Sequence, residues 1–145
     1  MVMCDAENWY RFTLRRLHLR CTMPDYRNLR AWQLARDVAV QSRPWIKKLH
    51  PEECDALADQ WRRASYSVVL NIAEGASRRG PREFRRHLDI ARGSLHEVAV
   101  VLDLVVALGY FKESDLIPLR RARDECARTV WGLLRSIAAR SSPRS

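Results

Sequence analysis

Polar side chains that could support acid–base chemistry recur along the segment RRASYSVVLNIAEG, residues 62–75. Ser67, Asn71 and Glu74 are spaced four and three residues apart, which places them on one face of a helix. An apolar stripe runs beside them, so these polar groups need hydrogen-bonding partners wherever they are buried. The spacing therefore predicts a line of paired polar residues next to a hydrophobic core.

A second polar set surrounds a glycine farther along the chain. Arg92, Ser94 and Glu97 flank Gly93 in a segment with helical periodicity. Glycine inside a helix costs roughly 1 kcal/mol relative to alanine, so Gly93 predicts close approach by a neighbouring helix. We expect this set to meet the first one in a structural polar network that fixes the register of two helices or two subunits.

The same residues could instead form a ligand or catalytic site. Asn71, Glu74, Arg92 and Glu97 would then converge, and paired carboxylates can perform general acid–base catalysis. Such chemistry needs a cleft, which a slim helical bundle need not contain. The structural interpretation is favoured, and we expect no enzymatic activity because no nucleophile lies beside a base.

Histidine and cysteine spacing predicts neither a metal site nor a cofactor. The histidines are His18, His50, His87 and His96. His50 and Cys54 form only a pair, whereas zinc needs three or four protein ligands. Cys126 lies on an apolar stripe and is interpreted as a core residue. The four cysteines form no C-x-x-C pair, follow no recognisable secretory leader and suggest no disulfide framework, which together favour a reducing cytoplasm. GASRRGP has proline where a phosphate-binding loop needs lysine.

Arginine clusters suggest a different kind of function. The chain has 26 Lys and Arg against 17 Asp and Glu, a net charge of +9. The planar guanidinium group suits phosphate, so we predict that the clusters bind a nucleic-acid backbone. The predicted contacts are Arg78, Arg79, Arg82, Arg85, Arg86, Arg120 and Arg121. The alternative is a solvated helix end whose charge is partly neutralised by Glu83 and Asp89.

Four amphipathic segments must position these residues. Asn28 is the predicted N-cap of the first helix, and Pro44 is expected to kink it or end its regular part. The second helix is predicted from Pro51 to about Gly75. The third opens at Pro81, and Ser114 is the predicted cap of the fourth. The clearest apolar stripe in the chain is a sustained heptad pattern in the third helix: Phe84, Leu88, Ala91, Leu95, Val98, Leu102 and Val105.

Short links and the lack of strand-like alternation predict an all-α, antiparallel up-down four-helix bundle over residues 25–140. Residues 1–24 are expected to form a basic arm, unless Met23 is the true initiator, and residues 141–145 a disordered tail. The longest apolar stretch is too short to span a membrane. Extra apolar faces on the third helix favour a homo-oligomer.

Two long motifs resemble a known family. RRASYSVVLNIAEG followed by REFRRHLDIARGSLHE is similar to the four-helix-bundle proteins first described in intervening sequences of bacterial 23S ribosomal RNA. The shared elements are R-A-x-x-S-x-x-x-N-I-A-E-G and A-R-G-S-x-x-E, and YRNLRAWQLA resembles the family's opening. The resemblance covers about residues 25–139.

The resemblance implies a small bacterial bundle that forms a homopentameric ring, with no established enzymatic activity. A structurally related group serves as accessory proteins of retroelement reverse transcriptases, and its basic pentamers bind nucleic acid and the polymerase. For this chain that role is an analogy at the level of the fold. Two functions therefore stay open: a nucleic-acid-binding homo-oligomer, or a protein–protein adaptor, for example of a reverse transcriptase, without a direct nucleic-acid role.

Overall fold

A computed structural model describes residues 25–49 and 51–141, with the side chains of 51–54 and 140–141 excluded. Within these ranges a 3₁₀ turn, Tyr26–Asn28, precedes four α-helices and no strand is formed. The helices are α1 (Arg30–Lys48), α2 (Pro51–Ser77), α3 (Pro81–Ala107) and α4 (Glu113–Ser141). The all-α, four-helix prediction is confirmed. The predicted arm at residues 1–24 and residues 142–145 of the predicted tail lie outside the described residues.

The start of α1 differs from the prediction. Leu29, not Asn28, occupies the N-cap position, and it makes no side-chain capping bond. Asn28 belongs to the 3₁₀ turn, whose cap is Asp25, and the backbone N–H of Arg27 donates to the Asp25 carboxylate over 3.0 Å. The capping side chain in this region is therefore that of Asp25, and it caps the 3₁₀ turn and not α1.

Pro44 does not end α1, which continues to Lys48. A proline inside a helix leaves the carbonyl four residues earlier without its usual donor, here that of Val40. Both Pro44 and Val40 lie on the exposed face of the helix, where water can hydrogen-bond to that carbonyl. The loss of one backbone bond is therefore tolerated at this position.

Two other predicted helix ends also move. α2 runs past Gly75 to Ser77, and the turn is made at Gly80, whose φ of 90° precedes Pro81 at the start of α3. Glycine adopts this left-handed region without a steric penalty. α4 begins at Glu113, so the predicted cap Ser114 lies inside the helix.

The core lies between helices that each contact two neighbours. α2 packs against α1 and α3, and α4 packs against α3 and α1. Every residue of the predicted α3 heptad is buried, and Trp61 of α2 is fully enclosed. Fully burying one large apolar side chain stabilises the fold by about 1.5–3 kcal/mol, so burial of this stripe contributes several such increments to the core.

Contacts between α2 and α3 occur in reversed order along the two helices. The Gln60 amide donates to the Glu97 carboxylate over 2.7 Å, and farther along α2 the Ser67 hydroxyl meets that of Ser94 over 2.8 Å. Near the end of α2, Gly75 approaches Phe84. As the residue number increases along α2, the number of the residue that it contacts in α3 therefore decreases.

No helix among the described residues has the length and apolar character needed to cross a membrane.

Candidate functional site

A polar ladder joins α2 to α3 and consists of Ser67, Asn71, His87 and Ser94. The Asn71 amide Nδ2 donates to the carbonyl oxygen of Ser67 over 2.9 Å and to its hydroxyl over 3.1 Å. The Asn71 Oδ1 atom then faces Nδ1 of His87 at 3.1 Å. Ser94 donates its hydroxyl to Ser67. Two bonds of the ladder link α2 to α3, one through the Ser94 hydroxyl and one through the His87 ring.

His87 is the member of the ladder that was not predicted as part of the network. Because Asn71 Oδ1 can only accept, Nδ1 of His87 carries the proton, and Nε2 is left buried without a hydrogen-bond partner in the described part of the chain. A sequence signal for this burial exists, since His87, Ala91, Ser94 and Val98 are spaced four, three and four residues apart. All four are buried.

The other three predicted network residues lie outside the ladder and have separate partners. Glu74 pairs with Arg78, Arg92 with Asp89 at 3.3 Å, and Glu97 accepts from Gln60. The hydrogen bond from Arg78 lowers the pKa of the Glu74 carboxyl. Since these residues are exposed and point to different partners, the groups of the alternative catalytic site do not converge.

The close approach predicted at Gly93 occurs instead at Gly75. A Cβ atom at Gly93 would meet nothing within 4 Å among the described residues. A Cβ atom at Gly75 would lie 2.7 Å from Cβ of His87 and 3.0 Å from Cδ2 of Phe84. Gly75 therefore allows α2 to reach the first turns of α3, and the Gly93 prediction was wrong for contacts within the chain.

The arginine cluster at the α2–α3 connection divides into paired and unpaired side chains. Arg78 pairs with Glu74, Arg85 lies 4.0 Å from Asp89 and Arg86 lies 3.5 Å from Glu83. Arg79 and Arg82 are exposed on either side of Gly80 and form no ion pair with any described residue. Two guanidinium groups are thus available at the start of α3.

The predicted contacts on α4 also divide. Arg120 donates to Asp103 over 2.8 Å and to Glu113 over 3.0 Å, so it links α4 to α3. Arg121 is exposed, and no acidic side chain of the described chain pairs with it. Of the seven predicted nucleic-acid contacts, the unpaired ones are Arg79, Arg82 and Arg121.

Metal and nucleophile chemistry have no support in the described geometry. No group of three His, Cys, Asp or Glu side chains in the described ranges could hold a metal ion. Cys126 is buried beside the carbonyl of Ala31, and burial raises the pKa of its thiol to about 12. A thiol with this pKa stays protonated near neutral pH, so it is not an activated nucleophile.

Comparison with models of protein families gives a match. A protein-family model described as "23S rRNA-intervening sequence protein" matches residues 27–132. The matched range contains α1, α2 and α3 in full, and α4 as far as Gly132. No curated protein matches the chain.

Proposed function

Because the chain belongs to the 23S rRNA-intervening sequence protein family, we propose that it is a non-enzymatic cytoplasmic protein that binds the phosphate backbone of RNA or DNA. The observation that carries the proposal is that Arg79 and Arg82 form no ion pair with the part of the chain that the structure describes. Their neighbours Arg78, Arg85 and Arg86 are all paired with carboxylates. A phosphate can therefore bind these two guanidinium groups without first displacing an internal partner.

The local backbone adds to this attraction. α3 begins with Gly80 as N-cap and Pro81 as the first helical residue, and no side chain caps its first turn. The amide groups at the start of a helix carry partial positive charge and favour anions. Arg82 lies in this first turn, and Glu83, the acidic residue beside it, is paired with Arg86. The start of α3 therefore combines helix-terminal amides with free guanidinium groups.

The proposal includes an antiparallel up-down order and assembly into a homo-oligomeric ring, pentameric by family analogy. The reversed contacts between α2 and α3 support the first part. Exposed apolar side chains support the second, since Val100 and Leu104 of α3 and Leu108, the residue that ends it, are spaced four residues apart. A monomer would leave this row in water, whereas association would cover it. A ring would repeat Arg79 and Arg82 around one rim and increase affinity through avidity.

The same apolar row favours a second candidate function. A different protein, such as a reverse transcriptase, could cover Val100, Leu104 and Leu108 in place of another copy of the chain. The protein would then be an adaptor or accessory subunit, and the arginines would serve only solubility.

Binding of structured RNA and duplex DNA to the purified protein, at about 50 and about 200 mM salt, tests the proposal. The informative variant is Arg79→Ser/Arg82→Ser. Its matched control is Arg85→Ser/Arg86→Ser, which removes the same charge from paired positions. We expect the first variant to weaken binding at least about tenfold and to reduce the salt slope by about two, with a smaller effect in the control.

Light scattering in the same buffers gives the mass of the protein. Equal losses in the two variants would mean that only net charge matters and would contradict the assignment to Arg79 and Arg82. A well-formed oligomer that binds neither nucleic acid at low salt would refute the proposal and favour the adaptor function.

A further inference from the structure

An exposed tryptophan on α4 lies between two unpaired arginines. Trp131 is 49% exposed, although large aromatic side chains are usually covered. Arg128 precedes it by three residues and Arg135 follows it by four, which places all three on one side of the helix. Both arginines are exposed and form no ion pair within the described ranges. We name Arg128, Trp131, Gly132 and Arg135 the Trp131 strip.

The ring of Trp131 is positioned from the neighbouring helix. The guanidinium carbon of Arg92 on α3 lies 5.4 Å from the ring centroid, within the range of a cation–π interaction. Arg92 is in turn paired with Asp89 at 3.3 Å. Contacts from α3 therefore restrict the ring while about half of the residue remains accessible. An aromatic surface that is already oriented loses less conformational entropy when it binds a ligand.

Gly132 leaves the backbone of α4 uncovered next to Trp131 and between the two arginines. Glycine is among the least favourable residues inside a helix, yet a Cβ atom here would meet nothing within 4 Å among the described residues. Packing inside the chain therefore does not explain the glycine. Its effect is to leave bare backbone beside the Trp131 ring, where a flat group can approach closely.

The charges of the strip identify the kind of ligand. An apolar protein surface placed over Trp131 would also cover Arg128 and Arg135, which would lose hydration without gaining partners. A nucleotide avoids this cost, because its base can stack on the indole ring while phosphates on either side bind the two guanidinium groups. These arginines are about 10.5 Å apart along the helix axis. In a duplex the faces of the bases are already stacked, so the base must be unpaired.

We propose that the Trp131 strip binds single-stranded nucleic acid by stacking an unpaired base on Trp131. The inference rests on the proposed function and makes it more specific. In this proposal Arg79 and Arg82 attract the phosphates of single strands and duplexes alike. The Trp131 strip then selects segments whose bases are unpaired.

Fluorescence anisotropy with a labelled single strand, and with the duplex of the same sequence, tests the inference. We expect Trp131→Ala to weaken single-strand binding roughly 5- to 150-fold, the range for the loss of one stacked base. Duplex binding should stay within about twofold of the wild type, since no stacking is lost there. Trp131→Phe should restore most of the affinity. Ile117→Ala, which truncates another exposed apolar residue of α4, should change neither affinity.

The outcomes separate the two proposals. Trp131→Ala could leave the single-strand affinity unchanged while Arg79→Ser/Arg82→Ser still loses duplex binding. This result would overturn the role assigned to the Trp131 strip and leave the proposed function intact. A lower mass of Trp131→Ala by light scattering, with equal losses for both nucleic acids, would identify the strip as a contact between subunits and overturn the inference. Failure of the wild type to bind either nucleic acid would overturn both proposals.

Discussion

Replacing Gly75 by alanine tests the close contact between α2 and α3. Alanine at this position would place its Cβ atom 2.7 Å from Cβ of His87, well inside van der Waals contact. The position of a Cβ atom is fixed by the backbone, so rotation of the His87 side chain cannot relieve the clash. The helices must separate, and the separation would stretch the hydrogen bond between His87 and Asn71.

Two effects of opposite sign determine the size of the change. Alanine is favoured over glycine inside a helix by about 1 kcal/mol, whereas inserting a methyl group into a tightly packed contact costs about 1–3 kcal/mol. The expected net result for Gly75→Ala is a loss of about 0–2 kcal/mol. Gly93→Ala is the matched control, because its Cβ atom would meet no described residue within 4 Å and only the favourable term applies. The two variants should differ by about 1–3 kcal/mol.

Urea unfolding at one fixed protein concentration measures the difference, since the stability of an oligomer depends on concentration. The comparison between the variants removes the helix-propensity term, which is common to both. If Gly75→Ala were as stabilising as Gly93→Ala, the close contact would not exist in solution. If Gly93→Ala were the more destabilising of the two, another subunit would have to approach α3 at Gly93.

Two further predictions concern the polar ladder and the buried thiol. Asn71→Ala leaves the Nδ1–H group of buried His87 without its acceptor, so urea unfolding should show a loss of about 1–3 kcal/mol, against less than about 0.5 kcal/mol for Ser77→Ala, whose half-buried side chain donates to the Glu74 carbonyl within the same helix. Equal losses would contradict the ladder. The raised pKa of Cys126, about 12 against the usual 9.0, favours the folded state fully below about pH 9, and this contribution is lost as the pH rises towards 12. Between about pH 8 and pH 10 the wild type should therefore lose about 1 kcal/mol more stability than Cys126→Ala; parallel curves would show that the thiol is not buried.

The fold could be predicted because its strongest signal is local and periodic. The α3 heptad from Phe84 to Val105 defines one buried face without knowledge of any other helix, and the structure buries every residue of it. Helix ends were less predictable. Asn28 and Ser114 are suitable caps by residue type, but α1 starts one residue later, and α4 two residues earlier, than such a cap would require. Small differences in turn geometry decide these positions.

The polar residues show a similar limit. Ser67, Asn71 and Ser94 do share hydrogen bonds, and their spacing places them on facing sides of two helices. The sequence predicted a helix end at Gly75 and a close contact at Gly93, whereas the structure places Gly75 inside α2 and gives the contact to it. Which glycine is contacted depends on where α2 and α3 cross, and that is a property of the whole bundle. His87 shows the same dependence, since its burial follows from the crossing near Gly75.

The division of the arginines into paired and free groups follows from where the acidic residues lie. The positions one helical turn after Arg82 in α3 are Arg85 and Arg86, and the connection before α3 supplies Arg78 and Arg79, so neither set offers Arg82 a carboxylate. This part could be deduced from the sequence.

Arg121 required the structure, because both acidic residues one turn ahead of it are engaged elsewhere. Asp124 pairs with Arg123, and Glu125 pairs with Arg30 of α1 at 2.8 Å. Arg120, next to it in the chain, is in contrast fixed by carboxylates of α3 and of the start of α4. Arginine content alone therefore overestimates the surface available to phosphate. The pairing of the acidic residues, both within and between helices, determines which guanidinium groups can act, and among the seven predicted contacts it leaves Arg79, Arg82 and Arg121 without an ion pair to a described residue.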